Sequence, residues 1–376
     1  MSALAKPPLT APDDPTAGKR QVASQWQLMW WKFKDHKLAY AALYVVALFY
    51  LVAIFCEFLA VNDPRKRNAE RKYAPPQGVH LFHEGRLQWP FAYAVIRHRD
   101  PETLHLTYKA DRSRPIPLRF LAKGDPYKLW GLIPLDRRLI GLADGERLYL
   151  LGADKLGRDV FSRILYGGRI SLSIGIAGVM ISLVLGVSIG GISGFYGGVI
   201  DVLIQRSIEV IQSFPGIPLW LALSAAMPAD WPQTRRYFCM TVILAVIGWT
   251  GMARVVRGKI LSLREEDYAM AAHVAGVREF RIIMRHLVPG FLSHLIVSVT
   301  IAIPGMILGE TALSFLGLGM RPPAISWGVL LNEAQNITAI ALYPWLLFPA
   351  LFVIVVVLMF NFLGDGLRDA ADPYKS

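Results

Sequence analysis

Asp267-Tyr268-Ala269-Met270-Ala271-Ala272-His273-Val274-Ala275-Gly276 reads as an Ala-rich turn of helix closed by a glycine, set between two apolar runs each long enough to cross a bilayer. A basic amphipathic stretch with Arg278, Arg281 and Arg285 follows, and then Pro289. Small side chains between charged flanks, with no lipid to meet, are shaped for a close fit in a groove on another protein. Working outward, 54% of the 376 residues are hydrophobic and are gathered into runs, which excludes an ordinary soluble domain. The chain is therefore expected to be an all-α integral membrane protein.

About six spans are expected: 38–60, 170–194, 199–227, 238–256, 291–316 and 343–363. Each reaches the roughly 20 residues that a helix needs to cross about 30 Å of hydrocarbon. The third is interrupted by Arg206, Glu209, Pro215 and Pro218, breaks that are tolerated where a helix faces protein or water. Arg206 and Glu209, three apart on one face, are expected to pair and to face a bundle or a water-filled cavity, as a candidate gate. Glu310, toward the outer end of the fifth span, is a third candidate pathway residue. The second span has Gly186, Gly190 and Gly194 at four-residue intervals, a ridge that lets helices approach closely.

An even number of spans puts both termini on one side. Lys32, Lys34 and Lys37 and the basic segment from Arg254 to Arg285 make that side the cytoplasm, so the loop at about 257–289 is cytoplasmic. Residues 61–150 then form a long external insertion. The insertion is basic, as part of the chain's net charge of +12, but long loops translocate largely regardless of charge. No soluble basic domain with interleaved aromatics supports a nucleic-acid reading. Residues 1–37 are read as a disordered cytoplasmic tail followed by an interfacial helix with Trp26, Trp30, Trp31 and Phe33, and the first span as an uncleaved anchor. The insertion is read as a solvated loop with short runs such as Leu104 to Tyr108 that could be strands; a folded cap that docks a partner is the alternative. His80, His83, His98 and His105 lack the spacing and the acidic or Cys partners of a metal site, so no metal and no cofactor is expected. Cys56 and Cys239 show no disulfide framework.

Three further stretches make the pattern specific. Leu151-Gly152-Ala153-Asp154-Lys155-Leu156-Gly157-Arg158-Asp159 continues through Tyr166-Gly167-Gly168-Arg169 into the second span. Leu308-Gly309-Glu310-Thr311-Ala312-Leu313-Ser314-Phe315-Leu316-Gly317-Leu318-Gly319 closes the fifth. Gly364-Asp365-Gly366-Leu367-Arg368-Asp369-Ala370-Ala371-Asp372-Pro373 ends the sixth. With the 267–276 segment these motifs resemble, in family order, the second permease subunit of the dipeptide/oligopeptide/nickel ABC importers, over about 151–373. Within that family the chain is most similar to the Yej peptide/microcin importer subgroup. The resemblance implies a type I ABC importer permease fold and docking of a cytoplasmic ATPase through Tyr268, Ala271, Ala272, Gly276 and Pro289. It also implies a second homologous permease subunit, two ABC ATPase subunits, an extracytoplasmic solute-binding protein, and residence in the bacterial inner membrane. Met270 stands where the family usually has an acidic residue; Glu265, Glu266 and Asp267 lie just upstream.

No Walker A pattern occurs, so the chain is expected to be a non-catalytic subunit powered by ATP hydrolysis elsewhere. Peptides or peptide-like solutes are the expected cargo, with oligosaccharides or glycosides as the alternative. An ion-coupled secondary transporter would need more buried ionisable residues and an inverted repeat. A membrane hydrolase would need a nucleophile, base and metal-ligand set that is not arranged here.

Overall fold

The computed structural model describes residues 24–83, 85–99, 106–143, 146–228 and 230–372. The tail at 1–23, His105 and Pro373 of the sequence reading lie outside them.

Helix α1 (Gln25–Asp35) opens with a capping box, in which the Ser24 hydroxyl and the Gln27 side chain each satisfy the other's backbone N–H. Its Trp26, Trp30 and Trp31 point outward, whereas Phe33 is buried. Helix α2 (Lys37–Ile54) is the first apolar span; it stops at Phe55 rather than at Ala60, and a short α3 (Cys56–Leu59) turns the chain into the insertion.

The insertion is folded, which corrects the solvated-loop reading. Strands β1 (Val79–His83), β2 (Arg86–Arg99), β3 (Leu106–Leu129) and β4 (Ile133–Leu142) form an antiparallel meander in sequence order. Ala92, Ala94, Ile116 and Leu142 bury one face with Val61 and Leu148. The first half of β3 pairs with β2 up to Pro117 and the second half with β4 from Leu118. Pro115 and Pro117, which cannot donate to a ladder, sit where that change of partner occurs. His80 lies with its ring centroid 4.9 Å from that of Tyr93, and His83 Nδ1 is 3.2 Å from the Tyr93 hydroxyl. These histidines are engaged by aromatic neighbours, and among the described residues no group of His, Cys, Asp or Glu could hold a metal ion. The all-α expectation thus holds for the membrane part, and a β-sheet stands above it.

After the insertion the membrane part resumes with α4 (Val160–Tyr196), followed by α5 (Gly198–Ser213), α6 (Gly216–Ala225) and α7 (Gln233–Leu263). Then come α8 (Asp267–Val274) and α9 (Glu279–Arg281), which passes through a π turn (Ile282–Leu287) and a 3-10 turn (Val288–Phe291) into α10 (Leu292–Phe315). Helices α11 (Trp327–Glu333), α12 (Ile337–Leu342) and α13 (Phe348–Ala371) complete the chain. Both cysteines are free.

The glycine ridge of α4 is its seam with α7. A Cβ on Gly186 would lie 2.5 Å from Met252 Cγ, and one on Gly194 would lie 2.8 Å from the Arg257 carbonyl; at Gly190 it would collide with the backbone of Ala253. Since Gly178, Gly186, Gly190 and Gly194 meet Thr241, Met252, Ala253 and Arg257 in the same order, α4 and α7 run parallel. The chain between them must therefore return across the membrane. Helices α5 and α6 make that crossing as one broken span bent by 83° at Phe214-Pro215. With the five continuous candidate spans this gives six crossings.

Candidate functional site: the α7–α10 connection

Helix α7 delivers the chain to this region and is tied down there. Arg264 donates to the carbonyls of Gly194 (3.2 Å) and Phe195 (3.3 Å), fastening the end of α7 to the end of α4. Beneath it, Asp201 of α5 receives Arg257 Nε and Nη2, both at 2.5 Å, and the Ser193 hydroxyl at 2.5 Å. One carboxylate thus joins α4, α5 and α7 through charge-assisted bonds.

Helix α8 sits on this platform. Ala269 is its buried contact, packed with Ile260, Ile282, Ile283 and Leu287. The helix ends in a Schellman motif: Gly276 N–H donates to the His273 carbonyl (3.0 Å) and Val277 N–H to that of Ala272 (3.1 Å), with Gly276 at φ +73°. That left-handed turn is what the glycine of the opening motif supplies. A Cβ at Gly276 would meet nothing within 4 Å, so the turn is open on its outer side.

The outward face is apolar and small. Met270, Ala271, Val274 and Ala275 are exposed together at helical spacing, with Val274 at 86%. Phe280 (72% exposed) and Met284 extend the surface beyond the glycine turn. Arg278, Arg281 and Arg285 are also exposed, so an apolar patch lies within a basic rim, the pattern of a protein contact and not of a lipid face. Of the expected residues, Ala271 and Gly276 are on this surface, Ala272 is half-buried, and Tyr268 is exposed beside the 3-10 turn of Pro289: a Cβ on Gly290 would lie 3.8 Å from its hydroxyl. The connection thus brings Tyr268 and the Pro289 turn together. Met270 replaces an acid on an exposed apolar face, and Asp267 occupies the first turn.

The candidate pathway residues fare differently. Arg206 and Glu209 pair at 2.7 Å, as their spacing requires, but both side chains are exposed, so they do not face this chain's own bundle. Glu310 is fully buried: Ser171 of α4 donates to it at 2.7 Å and Ser314 at 2.8 Å, while the Ser171 oxygen accepts Trp327 N–H. It is a junction of α4, α10 and α11, enclosed in this conformation and not a lining group.

The sequence reading missed a charged cluster where α4 starts. Arg163 (1% exposed) bonds Asp154 at 2.9 Å and Glu333 at 3.1 Å; Arg158 bonds Asp154 at 2.7 Å and both oxygens of Glu333 at 2.9 Å. Two arginines and two carboxylates clamp the turn-rich Leu151–Asp159 segment and α4 to α11. Above it, Trp327 Nε1 donates to the Ile164 carbonyl at 3.0 Å, and its ring lies over Gly167 and Gly168, where a Cβ would come within 3.2 Å. The Arg-Asp and Gly-Gly signature thus builds a clasp at the sheet end of the bundle. In the sequence Glu333 is one isolated carboxylate at the end of a seven-residue helix, 170 residues from Arg163, and carries no local sign of this partnership.

Residues 161–375 match the family of binding-protein-dependent transport system inner membrane components, and residues 24–76 match the N-terminal TM domain of oligopeptide transport permease C. The chain is 32% identical over 356 residues to the dipeptide transport system permease protein DppC of Bacillus subtilis, covering 94% of this chain and 88% of the relative. It is 42% identical over 229 residues to the oligopeptide transport system permease protein OppC of Haemophilus influenzae, covering 61% and 71%. The inward-facing MetNI methionine ABC transporter superposes with a TM-score of 0.43 at 16% identity, over 56% of this chain and 97% of that one. A helical core with six crossings, a helix standing out between its fourth and fifth, and a family match over more than half its length together place this chain among the binding-protein-dependent transport system inner membrane components.

Proposed function

We propose that the chain is one transmembrane subunit of an ATP-driven importer of peptides or peptide-like solutes, and that α8 is where force enters it. The observation that carries this reading is the exposed Met270, Ala271, Val274 and Ala275 face, raised on a platform tied by the part-buried Asp201–Arg257 ion pair and the Arg264 bonds to α4, and ended by an open Gly276 turn. Relatives named as dipeptide, oligopeptide and glutathione permeases support the cargo class. The partners are a second homologous permease chain, two cytoplasmic ABC ATPases that receive α8 in a surface groove, and an extracytoplasmic binding protein that delivers the solute. Both termini and α8 lie in the cytoplasm, and the β-sheet stands outside the inner membrane.

Closure of the ATPases would displace α8. Because Ala269 is packed between α7 and the π turn of Ile282–Leu287, and Arg264 ties α7 to α4, that displacement would move rigid helices together, alternating access at the permease interface. Arg206 and Glu209, exposed on α5, belong in this reading to that interface with the second permease chain, where a pair exposed here would be covered. The test is uptake in cells lacking this chain and in complemented cells, using labelled short peptides and oligosaccharides, with ATP depleted or present. Complementation-dependent and ATP-dependent peptide uptake is expected. Uptake of oligosaccharides alone would transfer the reading to glycosides, and uptake that follows an ion gradient without ATP would refute it.

A further inference from the structure

Two cavities meet beneath the β-sheet at the outer end of α2, and they differ in chemistry. The upper one, about 720 Å³, is enclosed by the β3–β4 hairpin, the segment after α3 and the starts of α4 and α7. Four cations and two carboxylates line it. Glu57 is held by the Arg169 guanidinium, and Asp63 accepts the backbone N–H of Arg65 at 2.8 Å. Arg138 donates to the carbonyls of Glu57 and Ala60 and stacks 5.0 Å from the Tyr127 ring. That leaves Arg65 and Lys128, both exposed, with no side-chain hydrogen bond or ion pair among the described residues.

The lower cavity, about 490 Å³, shares Arg169 and Tyr237 with the upper one and is otherwise almost wholly apolar. It runs from Trp130 down between α2 and α4, past Ile54 and Leu172 to Ile176 and Ala177, nearly two helical turns beyond Arg169 and inside the apolar span. Ile54 and Ile176 are exposed, continuing the stripe of Leu48 and Leu51 along α2. Trp130 marks the boundary: its Nε1 donates to the Ile54 carbonyl at 2.9 Å, at the end of the span, and Arg169 caps the Ala53 carbonyl there at 2.9 Å. Tryptophan and arginine at that level are what a bilayer interface selects.

A cationic chamber stacked on an apolar slot that opens along a lipid-facing stripe has the polarity profile of one ligand class. We propose that the pair of chambers holds one anionic phospholipid of the leaflet on the sheet's side, its phosphate against Arg65 and Lys128 and an acyl chain in the slot between α2 and α4. A free anion would use only the upper chamber, and a zwitterionic lipid would gain less from two unpaired cations. The bound lipid would tie the hairpin tip to the membrane bundle, because Lys128 and Trp130 belong to the hairpin and Ile176 and Ala177 to α4.

The experiment is native mass spectrometry of the full chain, alone and in the assembled transporter, released from nanodiscs of equal phosphatidylglycerol and phosphatidylcholine with matched acyl chains. One phosphatidylglycerol per chain is expected, retained about tenfold or more over phosphatidylcholine, because both carry a phosphate but only phosphatidylglycerol keeps a net negative charge for the two cations to attract. Arg65→Gln with Lys128→Gln should bring that preference close to one. Ala177→Phe, which fills the slot at a half-buried position and leaves the cations in place, should abolish retention of either lipid. Equal retention of both lipids by the unaltered chain, or a preference that survives the double substitution, would overturn the proposal. So would displacement by excess inorganic phosphate, which would mark an anion site without an acyl chain. Retention by the isolated chain that vanishes in the assembled transporter would overturn it too, by assigning the slot to a partner subunit.

Discussion

The buried clasp of Asp154, Arg158, Arg163 and Glu333 offers a cycle whose outcome can be worked from geometry. Glu333→Ala removes three charge-assisted bonds of 2.9 to 3.1 Å and leaves two arginines over one carboxylate in a site where no side chain is more than 11% exposed. Breaking a buried pair from one side costs about 3 to 5 kcal/mol, mostly because the surviving charge is stranded. Arg158→Ala strands the opposite charge, two carboxylates over one arginine, and should cost about the same. The double variant keeps the 2.9 Å Arg163–Asp154 pair and is charge-balanced. It should therefore cost little more than either single change, a coupling energy of about 2 to 4 kcal/mol. The assay is unfolding of the purified chain in mixed micelles titrated with denaturing detergent, followed by tryptophan fluorescence. Strictly additive losses, or single losses below about 1 kcal/mol, would refute the argument that these four groups act as one buried, charge-balanced unit.

Three other outcomes follow from the same geometry. Gly276→Ala should lower stability by only about 1 kcal/mol, the strain of a left-handed residue with open space around it, whereas Gly276→Arg should insert normally yet lose transport and transport-stimulated ATPase; normal uptake by the Arg variant would remove α8 from the coupling role. Gly190→Val should prevent stable packing of α4 on α7, at about 3 kcal/mol or more, seen as loss of full-length protein from the membrane fraction; wild-type yield would contradict the parallel seam. Asp159, outside the span and buried at the start of α4, has its carboxyl pushed up to about 6 by burial, so its contribution to stability is present below about pH 4 and is lost as pH rises through 6. Asp159→Asn, which keeps an acceptor for the Ser162 N–H, should remove that decline and raise stability at pH 7 by up to about 3 kcal/mol; an unchanged pH profile would refute it.

The spans were legible because run length and polarity are local properties, and even the break in the third was flagged by Pro215 and Pro218. The parallel α4–α7 seam was half legible: the four-residue glycine repeat announces a close neighbour but not which helix it is. The sheet was hidden because its buried positions, Ala92, Ala94 and Ile116, are small or sparse, and because nothing local to Pro115 and Pro117 shows that they mark a change of strand partner. At the candidate site, the Gly276 turn and the exposed Ala271 were readable from the motif, since a glycine after an Ala-rich helix forecasts a left-handed cap. Glu310 was found but its surroundings were not: a lone acid in an apolar run reads equally as lining or as junction until Ser171, 139 residues earlier, is seen to bond it. The same holds for Arg163 and Glu333, whose pairing across 170 residues leaves no local trace.

The central claim is that α8 is covered by an ATPase subunit, and thiol protection tests it most directly. Val274→Cys, in a chain with Cys239 replaced by Ser and the buried Cys56 retained, places a thiol at the most exposed position of the outward face. The account predicts fast labelling by a membrane-impermeant maleimide in the purified chain and strong protection once the ATPase subunits are bound. Equal labelling with and without them, in a complex that still transports, would contradict it.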